Sequence, residues 1–500
     1  MRKHLRVVAL LIPIVLITSN SYAAVKAGSA CSKVGSKSIS GGKSYTCVKS
    51  GKKLVWDKGV LVPVAQPSPS PSASASPSTT DSGGVTKPIT PSTSLPISKS
   101  LSPLSDCKIS DQRVHKAQPN NVGFPITKQE IPISGITKAV FLPVDFADAP
   151  GSGDPSIRTT AIAEKMKAWF AHFSNGKFNI EAQHSKTWFH STLKSASIPN
   201  VHPASTGSNE SAPLVNSLAQ EWIDLSGSTF DFTGVTTIFF EFPESVKGFG
   251  DGTQGRNVTL KTKQGNIQVM FNIMGDSWFY EGFMGVSNKF RADHFWSFYI
   301  HEMFHSMGLA QHAPGNGIPL SIGSNQTGTP EGFAGVLDPW ELFLLGWLDD
   351  TNIFCASKND LSSNNVLLTP IDVNRDGIKT AIIQISNHQA LVISSRRPED
   401  WSAELPKGAS GILVYEVDTT RDRNEDAVQA DANGSDNGNN PAYSKWAFYL
   451  LPDGVSGGYT VRRGLTDYIL KIGQTATFEG VTVTYLEAGQ NDTIRIARSK

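Results

Sequence analysis

His301-Glu302-Met303-Phe304-His305-Ser306-Met307-Gly308-Leu309-Ala310-Gln311-His312 places a glutamate between two histidines four residues apart, then a glycine and a third histidine. On a helix, His301 and His305 stand one turn apart on one face, so their imidazoles can converge on a single ion with Glu302 beside them. Neutral imidazole suits Zn2+, and a site with three protein ligands keeps a position open for a water that a nearby carboxylate deprotonates. Asp293 to Ile300 is apolar and aromatic, as a buried helix requires, with Asp293 in the place of an N-cap. Gly308 marks the stop, because glycine takes the left-handed conformation of a C′ residue without a Cβ clash. The turn after it returns the chain, with His312, toward the first two histidines. The plainer alternative is a core helix with two hydrogen-bonded histidines; the aromatic flank, the glycine stop and the third histidine favour the metal.

Outward from this helix the chain divides by composition. Residues 1–23 begin Met1-Arg2-Lys3-His4-Leu5-Arg6, run apolar from Val7 to about Ile17 and end in small residues at Ser21 and Ala23. That is the pattern of a secretory signal peptide, too short for a transmembrane span. Residues 24–62 hold Cys31 and Cys47 with two or three short strand-like stretches. Residues 63–105 shift to Pro, Ser, Thr and Ala and read as an extended linker, since they offer almost nothing to bury. Residues 106–350 form the main body. Ile136 to Phe146 reads as a buried strand, Ala161 to Phe173 as an amphipathic helix, and Phe178 to Ala182 and Val235 to Phe242 as further strands, which predicts helices packed on a twisted sheet. Residues 351–500 read as short alternating strands, among them 380–385, 390–394, 411–417, 446–451 and 481–486, and predict a β-rich, sandwich-like region. The fold class expected overall is α+β.

Secretion gives the four cysteines a meaning. Outside the cytoplasm they pair, in one of three connectivities. A segment as small as 24–62 cannot stabilise itself by burial alone, which favours Cys31 with Cys47 and leaves Cys107 with Cys355. With 45 Lys and Arg against 44 Asp and Glu, the formal net charge of +1 gives no global attraction to nucleic acid, and no basic run with interleaved aromatics appears. The expected protein is secreted, extracellular or associated with the cell wall, monomeric, without a membrane span, and open to surface attachment through its N-terminal module.

Several stretches, in order around the metal motif, resemble the secreted immune-inhibitor-A-like metallopeptidases from about Val140 onward. Phe141-Leu-Pro-Val-Asp-Phe-Ala-Asp148 looks like that family's early strand, and Phe173-Ser-Asn-Gly-Lys-Phe-Asn-Ile180 is similar to its Ser-x-Gly-Lys-Leu-x-Ile segment. Trp340-Glu-Leu-Phe-Leu-Leu-Gly-Trp347 resembles its Gly-Trp-ending helix. Arg396, Leu405-Pro406 and Gly411-Ile-Leu-Val-Tyr-Glu-Val-Asp418 match its later pattern. The resemblance implies a metzincin-like zinc endopeptidase acting on protein or peptide, with His301 and His305 as ligands and Glu302 as general base. Two departures stand out. The third-ligand position ten residues after His301 holds Gln311, so His312 is taken as the third ligand, with Gln311, Asp338 and Glu341 as the alternatives. All seven methionines lie at or before Met307, so none can form the methionine turn beneath the metal; Ile322 stands in for it. These departures keep two rival readings open: an inactive, protease-like binding protein of the cell surface, and a zinc amidase acting on a wall polymer.

Asp372-Val-Asn-Arg-Asp-Gly377 resembles the start of a Ca2+ loop, although its twelfth position is Ile383 rather than Glu, and a hairpin turn explains the same residues. The loop from Asp418 to Asn440 carries further carboxylates, so Ca2+ stays open as a second metal. His294, about two turns before His301, is expected to support the site or the core, and His172, His184 and His190 show no ligand spacing.

Overall fold

The computed structural model describes residues 28–31, 34, 37–40, 43–58, 60–61, 99–113, 120–127, 129–197, 212–246, 253–274, 293–309, 333–421, 446–455 and 466–498. They belong to two compact units, Met1–Ile89 and Thr90–Lys500.

The first unit is a small antiparallel sheet of β1 (Lys37–Ser40), β2 (Lys43–Ser50) and β3 (Lys53–Trp56), with β4 (Val60–Leu61) pairing β2. Gly51, at φ 61°, lets the two residues Gly51-Lys52 reverse the chain between β2 and β3. The Cys31–Cys47 bridge fastens the incoming segment to β2, where Cys47 is fully buried.

In the second unit a short helix, α1 (Leu104–Cys107), precedes the long strand β5 (Gly135–Phe146). Then follow α2 (Ser156–Phe173), β6 (Phe178–His184), β7 (Phe189–Ser191), α3 (Ala212–Ser226), β8 (Val235–Glu241), β9 (Thr253–Thr262), β10 (Gly265–Met274), α4 (Trp296–Ser306) and α5 (Pro339–Leu344). The sheet order is β6-β5-β8-β10-β9, with β7 added on β5. Strands β6, β5, β8 and β10 run parallel, and β9 closes the edge antiparallel to β10. The unbroken apolar run Val140 to Val144 follows from burial on both faces. Ala139 and Phe141 join the core with α2 and α4, while Val140, Leu142 and Val144 join a second core with Val215, Ala219 and Trp222 of α3.

The remaining strands are β11 (Ile353–Ser357), β12 (Ser363–Leu368), β13 (Thr380–Gln384), β14 (Gln389–Arg396), β15 (Gly411–Asp418), β16 (Ala447–Tyr449), β17 (Ile469–Leu470), β18 (Thr475–Phe478), β19 (Val481–Glu487) and β20 (Asp492–Arg498). They make two sheets, β11-β13-β14-β15-β16 with β17 on β15, and β12-β20-β19-β18. Alternation along the strands again separates two cores. Ile382, Val392, Leu413 and Tyr415 face the layer that holds α2, α4 and α5, whereas Ile383, Leu391, Ile393 and Val414 pack with Val366, Val483 and Ile494 of the other sheet. Helix α4 therefore lies between two sheets, and residues on both sides of Asp350 build its surroundings. The Cys107–Cys355 bridge joins α1 to β11 within the same core.

The α+β class and both disulfides agree with the sequence reading. Two local expectations are corrected. Asp293 does not cap the metal-motif helix: Asp293 and His294 are themselves helical, and the cap position of α4 falls on Phe295, with no side-chain cap. Asp372–Gly377 is not a hairpin turn, because β12 and β13 belong to different sheets and the loop crosses between them.

Candidate metal centre

All eleven residues of α4 are buried, which explains a helix that is apolar on nearly every side. Most of the polar exceptions are held or grouped. Tyr299, on the sheet-facing side, packs on Phe141 and Phe239 and donates its hydroxyl to both carboxylate oxygens of Glu241 at 2.8 Å. Roughly half a helical circumference away stand His301 and His305. Their ring centroids are 4.6 Å apart with the planes at 87°. A carboxylate oxygen of Glu302 lies 4.0 Å from His305 Nε2. Ligand-type atoms of His301, Glu302 and His305 all fall within 4.8 Å of one another, the only such cluster of three or more among the described residues. Two imidazoles and one carboxylate, each at most 5% exposed, are grouped closely enough to hold or serve a metal ion.

The helix ends as its glycine requires. Gly308 has φ 94°, and the Leu309 N–H donates to the Phe304 carbonyl at 3.2 Å, a Schellman closure. A partner that the sequence did not reveal completes it. Asn120 donates its amide to the carbonyls of His305, at 3.2 Å, and Leu309, at 2.6 Å, while the Asn121 N–H donates to Gly308 O at 2.8 Å. The Asn120 carbonyl in turn accepts from the buried guanidinium of Arg113, which pairs with Asp111 at 2.8 Å. Only the Asn-Asn pair hinted at a cap, and nothing local said which helix it serves.

His312, Gln311 and Ile322 lie outside the described residues. Asp338 and Glu341, the carboxylates considered as third ligands, sit at the start of α5 and do not join the His301-Glu302-His305 cluster. Burial, and then the charge of Asp338, push the Glu341 carboxyl well above the ordinary carboxylate range. His294 faces Glu404 at 2.9 Å and stacks on Phe333 at 4.0 Å between centroids. His184 meets Thr159 at 2.9 Å and stacks on Phe141, and His190 is exposed beside Asp145 at 2.6 Å. His172 packs against Phe173 and Trp401; burial, then the charge of Lys379, lower its pKa to about 4. It lines a cavity of about 840 Å3 between the end of α2 and the loop 371–379. None of His301, Glu302 and His305 reaches that cavity, so its size says nothing about the metal cluster.

The Ca2+-like loop is engaged elsewhere. An Asp372 carboxylate oxygen accepts from the Arg397 N–H at 2.7 Å and lies 3.5 Å from Arg396 Nε. Its first ligand position is thus held by arginines. Much of the loop after Asp418 lies outside the described residues.

No protein-family profile matches the chain, and no curated protein does either. Among solved structures, a catalytically inactive form of OgpA from Akkermansia muciniphila, bound to an O-glycopeptide substrate, aligns at 11% identity over 61% of this chain and 88% of its own, with a TM-score of 0.20. An overlap that slight carries no weight for fold or function. Among the described residues no helix is long and apolar enough to cross a membrane.

Proposed function

We propose that the chain is a secreted zinc-dependent endopeptidase. The observation that carries this reading is the convergence of His301, Glu302 and His305 on one buried helix, with ligand atoms within 4.8 Å of one another. The chemistry of this donor set fits Zn2+: His301 and His305 would hold the ion, and His312 is the third ligand proposed from the sequence. When bound there, Zn2+ supplies the Lewis acidity that polarises a scissile carbonyl and makes a water acidic near neutral pH.

Glu302 does the proton work. Its carboxylate lies beside the ligand face rather than along it, so it can accept the proton of the attacking water and pass it to the departing amine. The Glu241–Tyr299 pair anchors the opposite side of α4 to the sheet, and Asn120 fixes the helix end. Both fix the helix that carries the two imidazoles without touching the rings. A site held by the packing of its own helix loses little order when substrate arrives.

The test is cleavage of casein by wild-type protein and by Glu302→Gln. The variant keeps the shape and the two imidazoles but cannot take a proton, so cleavage falls on the order of a hundredfold to ten-thousandfold. Cleavage at the wild-type rate contradicts the assignment.

A further inference from the structure

We infer that the disulfide-bridged N-terminal unit is a docking surface for a polyanionic polymer built of phosphate groups. Residues 24–62 contain eight lysines, no arginine and a single carboxylate, Asp57. That carboxylate is turned inward to the fold, where an oxygen accepts from the Thr46 N–H at 3.0 Å. The segment therefore carries +7 while the whole chain carries +1, so its charge is hidden in the total by a net −6 elsewhere.

The structure shows where part of this charge is displayed. Lys49, Lys52 and Lys53 surround the β2–β3 turn and Lys58 follows β3; all four are exposed. No ion pair engages any of them among the described residues. Like charges this close on a sheet of a few short strands repel one another, and a partner that brings negative charge relieves the repulsion. Lysines present point charges, which suits a chain of phosphates read for its charge rather than its sequence. A bilayer fits less well. Insertion into the lipid interface uses a broad apolar face, and among the described residues of this unit the exposed large apolar side chains are the separate valines Val34, Val48 and Val60.

The experiment compares full-length wild-type protein with the quadruple variant K49Q/K52Q/K53Q/K58Q, using inorganic polyphosphate and phosphatidylglycerol vesicles as probes at 50 to 200 mM salt. All four positions are exposed and lie outside the metal cluster, so the variant should keep its Cys31–Cys47 bridge and its casein cleavage. Wild-type protein is expected to bind polyphosphate with an affinity that falls steeply with salt. The variant should bind about tenfold or more weakly at 50 mM, with the log–log salt slope smaller in magnitude by about 3. Wild-type protein that ignores polyphosphate, a variant that binds it equally well, or tighter binding to vesicles at equal phosphate each overturns the inference. None of these outcomes depends on the peptidase reading, since binding is measured apart from cleavage.

Discussion

Asn120 donates its side-chain amide to the main-chain carbonyl of His305, 3.2 Å away, and so ties a residue 185 positions upstream to the end of the helix that carries the metal motif. The same amide reaches Leu309 O at 2.6 Å, so the segment around residue 120 also holds the Gly308–Leu309 turn that closes α4. Helix α4 is thus positioned by its end as well as by its packing.

The first prediction concerns that contact. Asn120→Ala leaves two buried carbonyls without their donor and should cost roughly 1–3 kcal/mol of stability. Because the end of α4 that carries His305 loosens with it, zinc affinity should fall as well. Urea unfolding together with a zinc titration reads both, and an Asn120→Ala protein with wild-type values in each would show that the cap is idle.

The two disulfides should differ in weight. Cys107–Cys355 closes a loop of sequence separation 248, against 16 for Cys31–Cys47. Loop-closure entropy puts the first at up to about 5 kcal/mol and the second near 3 kcal/mol. The double variant C107S/C355S should therefore unfold the large unit at a clearly lower urea concentration, while C31S/C47S leaves that transition in place. Equal midpoints for C107S/C355S and wild type would contradict the assignment of that bridge to the core around α4.

His172 gives a pH dependence with a fixed sign. Burial, and then the Lys379 charge, lower its pKa from 6.5 to about 4, with Asp400 and Asp372 opposing. The folded protein thus resists protonating it, so its contribution to stability is whole above pH 6.5 and is lost as the pH falls toward 4. His172→Phe keeps a ring against Phe173 and Trp401 but cannot be protonated. Its Tm should decline less than that of wild type between pH 6.5 and 4; parallel declines would rule His172 out as the source.

Much of this arrangement was legible in the residues themselves, and the limits have physical causes. The motif helix and its Gly308 stop could be read because spacing and the need for positive φ are local properties. Strand β5 could be read because burial on both faces leaves no polar position between Val140 and Val144. Strand β9, Thr-Gln-Gly-Arg-Asn-Val-Thr-Leu-Lys-Thr, escaped because an edge strand needs few apolar residues, and β10 and α3 went unread beside it. Asp372–Gly377 misled because a turn between neighbouring strands and a crossing between sheets use the same turn residues. Asn120 was invisible because its partner lies 185 positions away. The charge of residues 24–62 does not show in the whole-chain total of +1, because the rest of the chain cancels it.

The most direct test of the metal centre is zinc stoichiometry, measured by elemental analysis on folded protein after loading with Zn2+ and dialysis. One zinc per chain is predicted for wild type and for Glu302→Gln, and none for the double variant H301A/H305A. Folded wild-type protein that takes up no zinc, or H301A/H305A that holds as much as wild type, would contradict the account.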